Sequence, residues 1–177
     1  KVGLERLQER IQGLATVHQK IYESENTSAV RMDKLIDEIA RNLMDGSARS
    51  RESVTLTTDL DVVTCEPDSA VPLILFATEA IVNTFKHALS HVDQGTLEIV
   101  LKDDPDALRL RIRNSLHPGA VIAEDQITGR RGIGQQLIEG FARQLRGKVK
   151  QTETPDSYTV ELVVPKVASG DGGVKAA

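Results

Sequence analysis

The chain has 177 residues, a hydrophobic fraction of 40%, a net charge of -4 and a single cysteine, with an isoelectric point near 5.6. That length holds one domain, or a domain with a small helical appendage. The acidic balance excludes a general nucleic-acid binder, which carries a basic face, and one cysteine, Cys65, excludes an internal disulfide or a cysteine-rich zinc site. Aromatic residues make up only 3% and tryptophan is absent, so the core has to be built from Leu, Ile, Val and Ala. No apolar run continues uninterrupted for the ~18 residues of a membrane span. No signal-peptide pattern is present, so a cytoplasmic fragment is expected, one that begins at Lys1 rather than Met.

Leu4, Leu7, Ile11, Leu14, Val17, His18 and Ile21 recur at threes and fours among Glu, Arg, Gln and Lys, the pattern of an amphipathic helix of about six turns. Asn26-Thr27-Ser28 breaks it, and Ser28 is placed to cap a second helix. That helix carries Met32, Leu35, Ile36, Ile39, Ala40 and Leu43 on one side and closes at Asp45-Gly46-Ser47. Residues 48–52 read as a polar connector. Residues 53–60 alternate, with Val54, Leu56 and Leu60 against Thr55, Thr57 and Asp59. Residues 62–65 are a second short extended run, and the two are expected to form a hairpin or a bent strand pair.

Pro67 and Pro72 open a long helix whose apolar run extends over 71–89. Asp93-Gln94-Gly95 is a turn. Residues 96–102 and 108–113 alternate as strands joined by Asp103-Asp104-Pro105-Asp106, a hairpin signal. The stretch 115–131 is irregular and long enough to be functional. A helix follows over 133–145. Strands over 148–153 and 158–164 close around Pro155-Asp156, and 168–177 is a tail of small residues that cannot bury itself. This order predicts an α+β fold: a mixed, mostly antiparallel sheet with helices on one face, preceded by two helices. The expected division is a helical segment over 1–46, a main domain over 52–166 and a disordered tail over 167–177.

Inside the apolar helix, Glu79, Asn83, Lys86 and His87 follow one another at steps of four, three and four, counted from Glu79 to Asn83 and from Asn83 onward. Such steps keep side chains on one helical face. Burying these groups unpaired is costly, so the face is either wet or lines a pocket for something polar and charged. Glu79 can orient or deprotonate a nucleophile. The Asn83 amide oxygen is a hard ligand suited to Mg²⁺, Lys86 can neutralise a phosphate, and His87 can hydrogen-bond one. The alternative is an ordinary solvated helix face.

Two further segments point the same way. Gly132 and Gly134 flank Ile133 at the start of a helix, where free N–H groups and the helix dipole favour an anion. Arg130 and Arg131 add charge that phosphates welcome, although exposed loop arginines read identically. The spacing is not the dinucleotide fingerprint. Asn114, at the end of a strand, can both donate and accept towards a base edge, or simply begin a turn. His91 and His117 have no constellation around them, and Cys65 sits in a strand-like run as a core residue does.

Together these segments resemble the ATP-binding half of sensor histidine kinases, built on the two-layer ATPase-like α/β sandwich shared with gyrase, Hsp90 and MutL. Glu79, Asn83, Lys86 and His87 look like the family's asparagine box, and Gly132-Ile133-Gly134 like its second glycine box. Residues 10–22, Arg-Ile-Gln-Gly-Leu-Ala-Thr-Val-His-Gln-Lys-Ile-Tyr, resemble the second helix of the dimerisation and phosphotransfer hairpin in the subgroup related to the HWE kinases. The resemblance covers roughly 4–165 and implies Mg-ATP as cofactor and phosphoryl transfer to a histidine. Glu79 would assist that transfer, Asn83 would hold Mg²⁺, Lys86 and His87 would meet the phosphates, and 115–131 would be the lid over ATP. It also implies a response-regulator receiver domain as partner and a homodimer through the N-terminal helices. Two departures stand out. Asn114-Ser115-Leu116 replaces the Asp-x-Gly-x-Gly of the first glycine box, and the helix bearing the phosphoaccepting histidine is absent, so the acceptor is expected outside this chain; His18 lies on the second helix. Two alternatives follow: an adaptor or phosphatase that docks a response regulator without ATP turnover, and an anti-sigma-type serine kinase, which the 10–22 helix disfavours.

Overall fold

The computed structural model describes residues 29–45, 54–87, 94–116 and 133–166. In chain order its elements are β1 (Val30–Arg31), α1 (Met32–Asp45), β2 (Val54–Leu60), β3 (Thr64–Cys65), α2 (Pro67–His87), β4 (Gly95–Asp103), β5 (Ala107–Ser115), α3 (Ile133–Gln144), β6 (Lys148–Thr154) and β7 (Ser157–Pro165). The expected leading helix, the lid region beyond Leu116 and the tail lie outside the described residues.

Period-two alternation makes the sheet. Leu97, Ile99 and Leu101 on β4, Leu108, Leu110 and Ile112 on β5, and Val160, Leu162 and Val164 on β7 share one buried face. The intervening Glu98, Arg111, Arg113 and Glu161, with Lys150 of β6, line an open groove of about 430 Å³ on the other. The strand order is β2-β4-β5-β7-β6, with β2 parallel to β4 and the remaining pairs antiparallel. The predicted α+β class, a mixed and mostly antiparallel sheet with helices on one face, is what is found.

The expected hairpin between 53–60 and 62–65 is not. Asp61 donates its backbone N–H to the Leu101 carbonyl at 2.9 Å. Its carboxylate accepts from the Asp103 backbone at 3.0 Å and from Lys102 Nζ at 3.0 Å. The Asp103 N–H, and after it the Lys102 ammonium, hold that carboxyl below the ordinary carboxylate range. These bonds stop β2 against β4 and turn the chain away. β3 then pairs antiparallel with β1 instead, Val30 opposite Cys65. The lone thiol of Cys65 is 1% exposed, and burial, with a smaller contribution from Asp103, pushes it up to about 12.

Helix α1 begins where the Met32 N–H reaches the Val63 carbonyl at 2.8 Å. Met32, Ile36 and Ala40, one turn apart, are 0% exposed and belong to the same core as the sheet. These three residues of the expected segment 1–46 pack in one core with the sheet of the expected domain 52–166. On the outer side of the helix, Arg41 grips Asp37 at 2.7 Å, and Thr58 of β2 donates to the same carboxylate at 3.3 Å.

Helix α2 starts earlier than its apolar run. The Glu66 carbonyl receives the N–H groups of Ser69 and Ala70, which leaves Pro67 in the first turn, where a missing donor costs nothing. Pro72 lies inside the helix and is buried; it withholds one donor from the Asp68 carbonyl four residues back. The segment Pro67–Phe85 has a mean hydropathy of 1.2, enough by length and composition to cross a membrane. Here its Leu73, Ile74, Phe76, Ala77 and Ile81 are spent in the core.

Helix α3 ends in a Schellman cap. The Gly147 N–H reaches the Ala142 carbonyl at 2.8 Å and the Arg146 N–H the Arg143 carbonyl at 3.0 Å. Arg146 takes the left-handed conformation, with φ 54°, while the glycine stands one residue later. A Cβ at Gly147 would come within 2.9 Å of Leu162 Cδ1 and 3.0 Å of the Val163 carbonyl oxygen. Close packing, not backbone freedom, selects glycine there.

Because α1 is sealed into the core, Ile36→Ala should lower the unfolding free energy of the whole sandwich by about 2–5 kcal/mol. Urea unfolding followed by circular dichroism checks this. A loss confined to the α1 signal, with the sheet unfolding at its original midpoint, would make α1 a separate unit.

Candidate functional site

The C-terminal half of α2 carries the polar stripe towards one end of the sheet. Glu79 is 6% exposed and is engaged within the protein. Asn83, one turn on, is half-buried. Lys86 and His87 occupy the last two positions of α2, and their side chains lie outside the described residues.

Thr84, the next residue after Asn83, ties this helix to β5. Its hydroxyl lies 3.1 Å from the Ala80 carbonyl and 3.3 Å from Asn114 Oδ1, and both Thr84 and Asn114 are buried. Asn114 Nδ2 in turn donates to the Ser115 carbonyl at 2.9 Å. The inward-facing amide thus ends β5 as a satisfied strand terminus. The same end is pinned twice more: the Thr96 N–H reaches Ser115 Oγ at 2.9 Å, and the Leu116 N–H reaches the Asp156 carbonyl at 2.8 Å.

Helix α3 packs against α2. Its C-terminus passes through Gly147 into Lys148, which stands opposite Val163. Its 12 residues span about 18 Å at 1.5 Å per residue. At the far end of β7 from Val163, Asn114 and Tyr158 face each other in register. Ile133 opens α3, and Gly134 is buried in its first turn.

Of the predicted site residues, Asn83 lies one residue before Thr84, whose hydroxyl meets Asn114; Glu79 lies one turn earlier on α2, and Ile133 and Gly134 lie in the first turn of α3. Arg130, Arg131 and Gly132 lie outside the described residues. Among the described residues no group of three His, Cys, Asp or Glu could enclose a metal. A divalent ion here would take most of its ligands from phosphate and water, as Mg²⁺ does. Sequence reasoning missed Thr84 and Tyr158. Thr84 is off the three-and-four stripe, and Tyr158 falls at the start of a strand; a hydrogen bond from α2 puts Thr84 beside Asn114, and the register of β5 with β7 puts Tyr158 opposite it.

Residues 1–47 match the HisKA_2 family, described as histidine kinase. Among solved structures, the histidine kinase domain of the blue-light-activated histidine kinase of Erythrobacter litoralis aligns with a TM-score of 0.72 at 16% identity, over 89% of this chain and 73% of that one. The longer structure of that kinase gives 0.71 at 15% identity, over 93% of this chain and 50% of its own. The catalytic domain of the histidine kinase ThkA gives 0.59 at 16% identity, over 77% and 94% respectively. At these identities the likeness establishes the fold. No curated protein sequence matches the chain.

Removing the amide that closes β5 should be costly. Asn114→Ala takes the donor from the Ser115 carbonyl and the acceptor from Thr84 in a buried setting, a loss of about 1–3 kcal/mol. Chemical denaturation reads it directly, and an unshifted midpoint would mean that the pair holds nothing in place.

Proposed function

We propose that this chain is a histidine kinase, a reading supported by the family match of its first 47 residues and by the fold of its described part, and that it binds Mg-ATP between the C-terminal half of α2 and the first turn of α3. It passes the γ-phosphate to a histidine and onward to an aspartate of a response-regulator receiver domain. The observation that carries this is the Thr84–Asn114 contact at 3.3 Å. It ties the last turns of α2, which bear Asn83, to the end of β5, and the first turn of α3 offers N–H groups that suit a phosphate.

Phosphoryl transfer asks mostly for positioning and charge neutralisation, and each residue has a place in that. The amide oxygen of Asn83 would hold Mg²⁺. Bound Mg²⁺ offsets the charge on the phosphates. Lys86 and His87, at the end of the same helix, meet the phosphates, and Arg130, Arg131 and Gly132 with Ile133 and Gly134 close on them from the start of α3. Glu79 orients the attacking imidazole and accepts its proton. The phosphate acceptor is a histidine, and the protein acts as a homodimer. A cytoplasmic location follows from the use of ATP.

Two substitutions test this reading. Asn83→Ala should abolish the Mg²⁺-dependent part of ATP binding in calorimetry while circular dichroism stays unchanged, because the side chain is half-buried and outside the core. An affinity equal to that of the parent protein would remove Asn83 from the metal. Absence of any binding at millimolar ATP in the parent protein would sink the kinase reading as a whole. Asn114→Asp should tighten ATP several-fold if residue 114 faces an amino group on the base, since a charged acceptor is roughly twice as strong. It should also cost stability, because a carboxylate cannot donate to the Ser115 carbonyl. Unchanged affinity would leave Asn114 as a strand terminus only.

A further inference from the structure

Asn114 sits where a base-reading acidic residue is expected, yet it is 2% exposed. Its oxygen is taken by Thr84 and its nitrogen turned to the Ser115 carbonyl. Little of the amide is left for a ligand. Directly opposite it in register, on β7, is Tyr158. Alternation with the buried Val160 and Leu162 puts Tyr158 on the helix-covered face, and its ring is half-buried against the core. Its hydroxyl makes no hydrogen bond among the described residues. Burial, with a smaller contribution from Glu153, holds its phenol above the ordinary value, so it remains a neutral donor through physiological pH.

We propose that Tyr158 is the base-contacting residue of this site, offering its ring as a stacking face and its hydroxyl as the hydrogen-bonding group that the internally bonded Asn114 does not supply. This rests on the nucleotide reading above and deepens it: base recognition passes from the strand-end amide to the neighbouring strand. A planar purine has an area and edge acceptors suited to a half-exposed phenol, whereas the triphosphate belongs to α2 and α3.

The chain offers a direct reporter, because it has two tyrosines and no tryptophan. In a Tyr22→Phe background all tyrosine emission comes from Tyr158. Saturating ATP should quench that emission, and inorganic tripolyphosphate should leave it unchanged. In calorimetry, Tyr158→Phe, which keeps the ring and its packing, should weaken ATP about 5-fold through loss of one hydrogen bond. Tyr158→Ala should weaken it at least ~10-fold through loss of stacking. Neither should alter tripolyphosphate affinity. ATP binding with no quench and with unaltered affinity in both variants would overturn the assignment of Tyr158 while leaving the nucleotide site standing. A parent protein that binds neither ATP nor tripolyphosphate would overturn both together. Equal losses for ATP and tripolyphosphate would mark Tyr158 as structural and overturn the proposal.

Discussion

The packing of α2 across the inner face of the sheet sets every distance at the candidate site. Leu73, Ile74, Phe76, Ala77 and Ile81 bury themselves against the strands, and that burial is non-directional. It brings the helix down on the sheet but leaves sliding and rotation loosely specified. Register comes from polar groups at the ends. The Glu66 carbonyl fixes where the helix starts, and the Thr84 hydroxyl fixes where its last turns lie relative to β5. One apolar contact with a polar stop at each end holds Glu79 and Asn83 at a defined height above the strand terminus.

The fold was legible where side-chain period equals backbone period. The alternation of β4, β5 and β7 and the three-and-four spacing of α1 and α3 are properties of neighbouring residues, and the sequence displays them. Pairing partners are not local. Residues 54–60 and 62–65 lie close in the chain and alternate well, so a hairpin was the natural expectation. It fails because Asp61 bonds to β4, a strand more than thirty residues away in sequence. The burial of α1 was hidden for the same reason: an amphipathic stripe says that a face is covered but not by what.

The site was legible through its stripe. Four polar residues on an apolar helix are costly unless engaged, and spacing alone assigns them to one face. Asn114 was picked out by its place after a strand, and its inward, internally bonded amide is visible only in three dimensions. Thr84 and Tyr158 gave no signal, since a threonine in a helix and a tyrosine beginning a strand are commonplace. Their meaning comes from meeting the same asparagine from two directions, one by hydrogen bond and one by strand register.

The seclusion of Cys65 has a practical side. It is the chain's only sulfhydryl, walled in by the short β1–β3 ribbon and held as S–H far above physiological pH. Thiolate is the species that oxidises, so an intact molecule offers none. A covalently linked dimer on a non-reducing gel would therefore be a tally of molecules that had come apart at that ribbon, and ageing of a stored sample can be followed without any label.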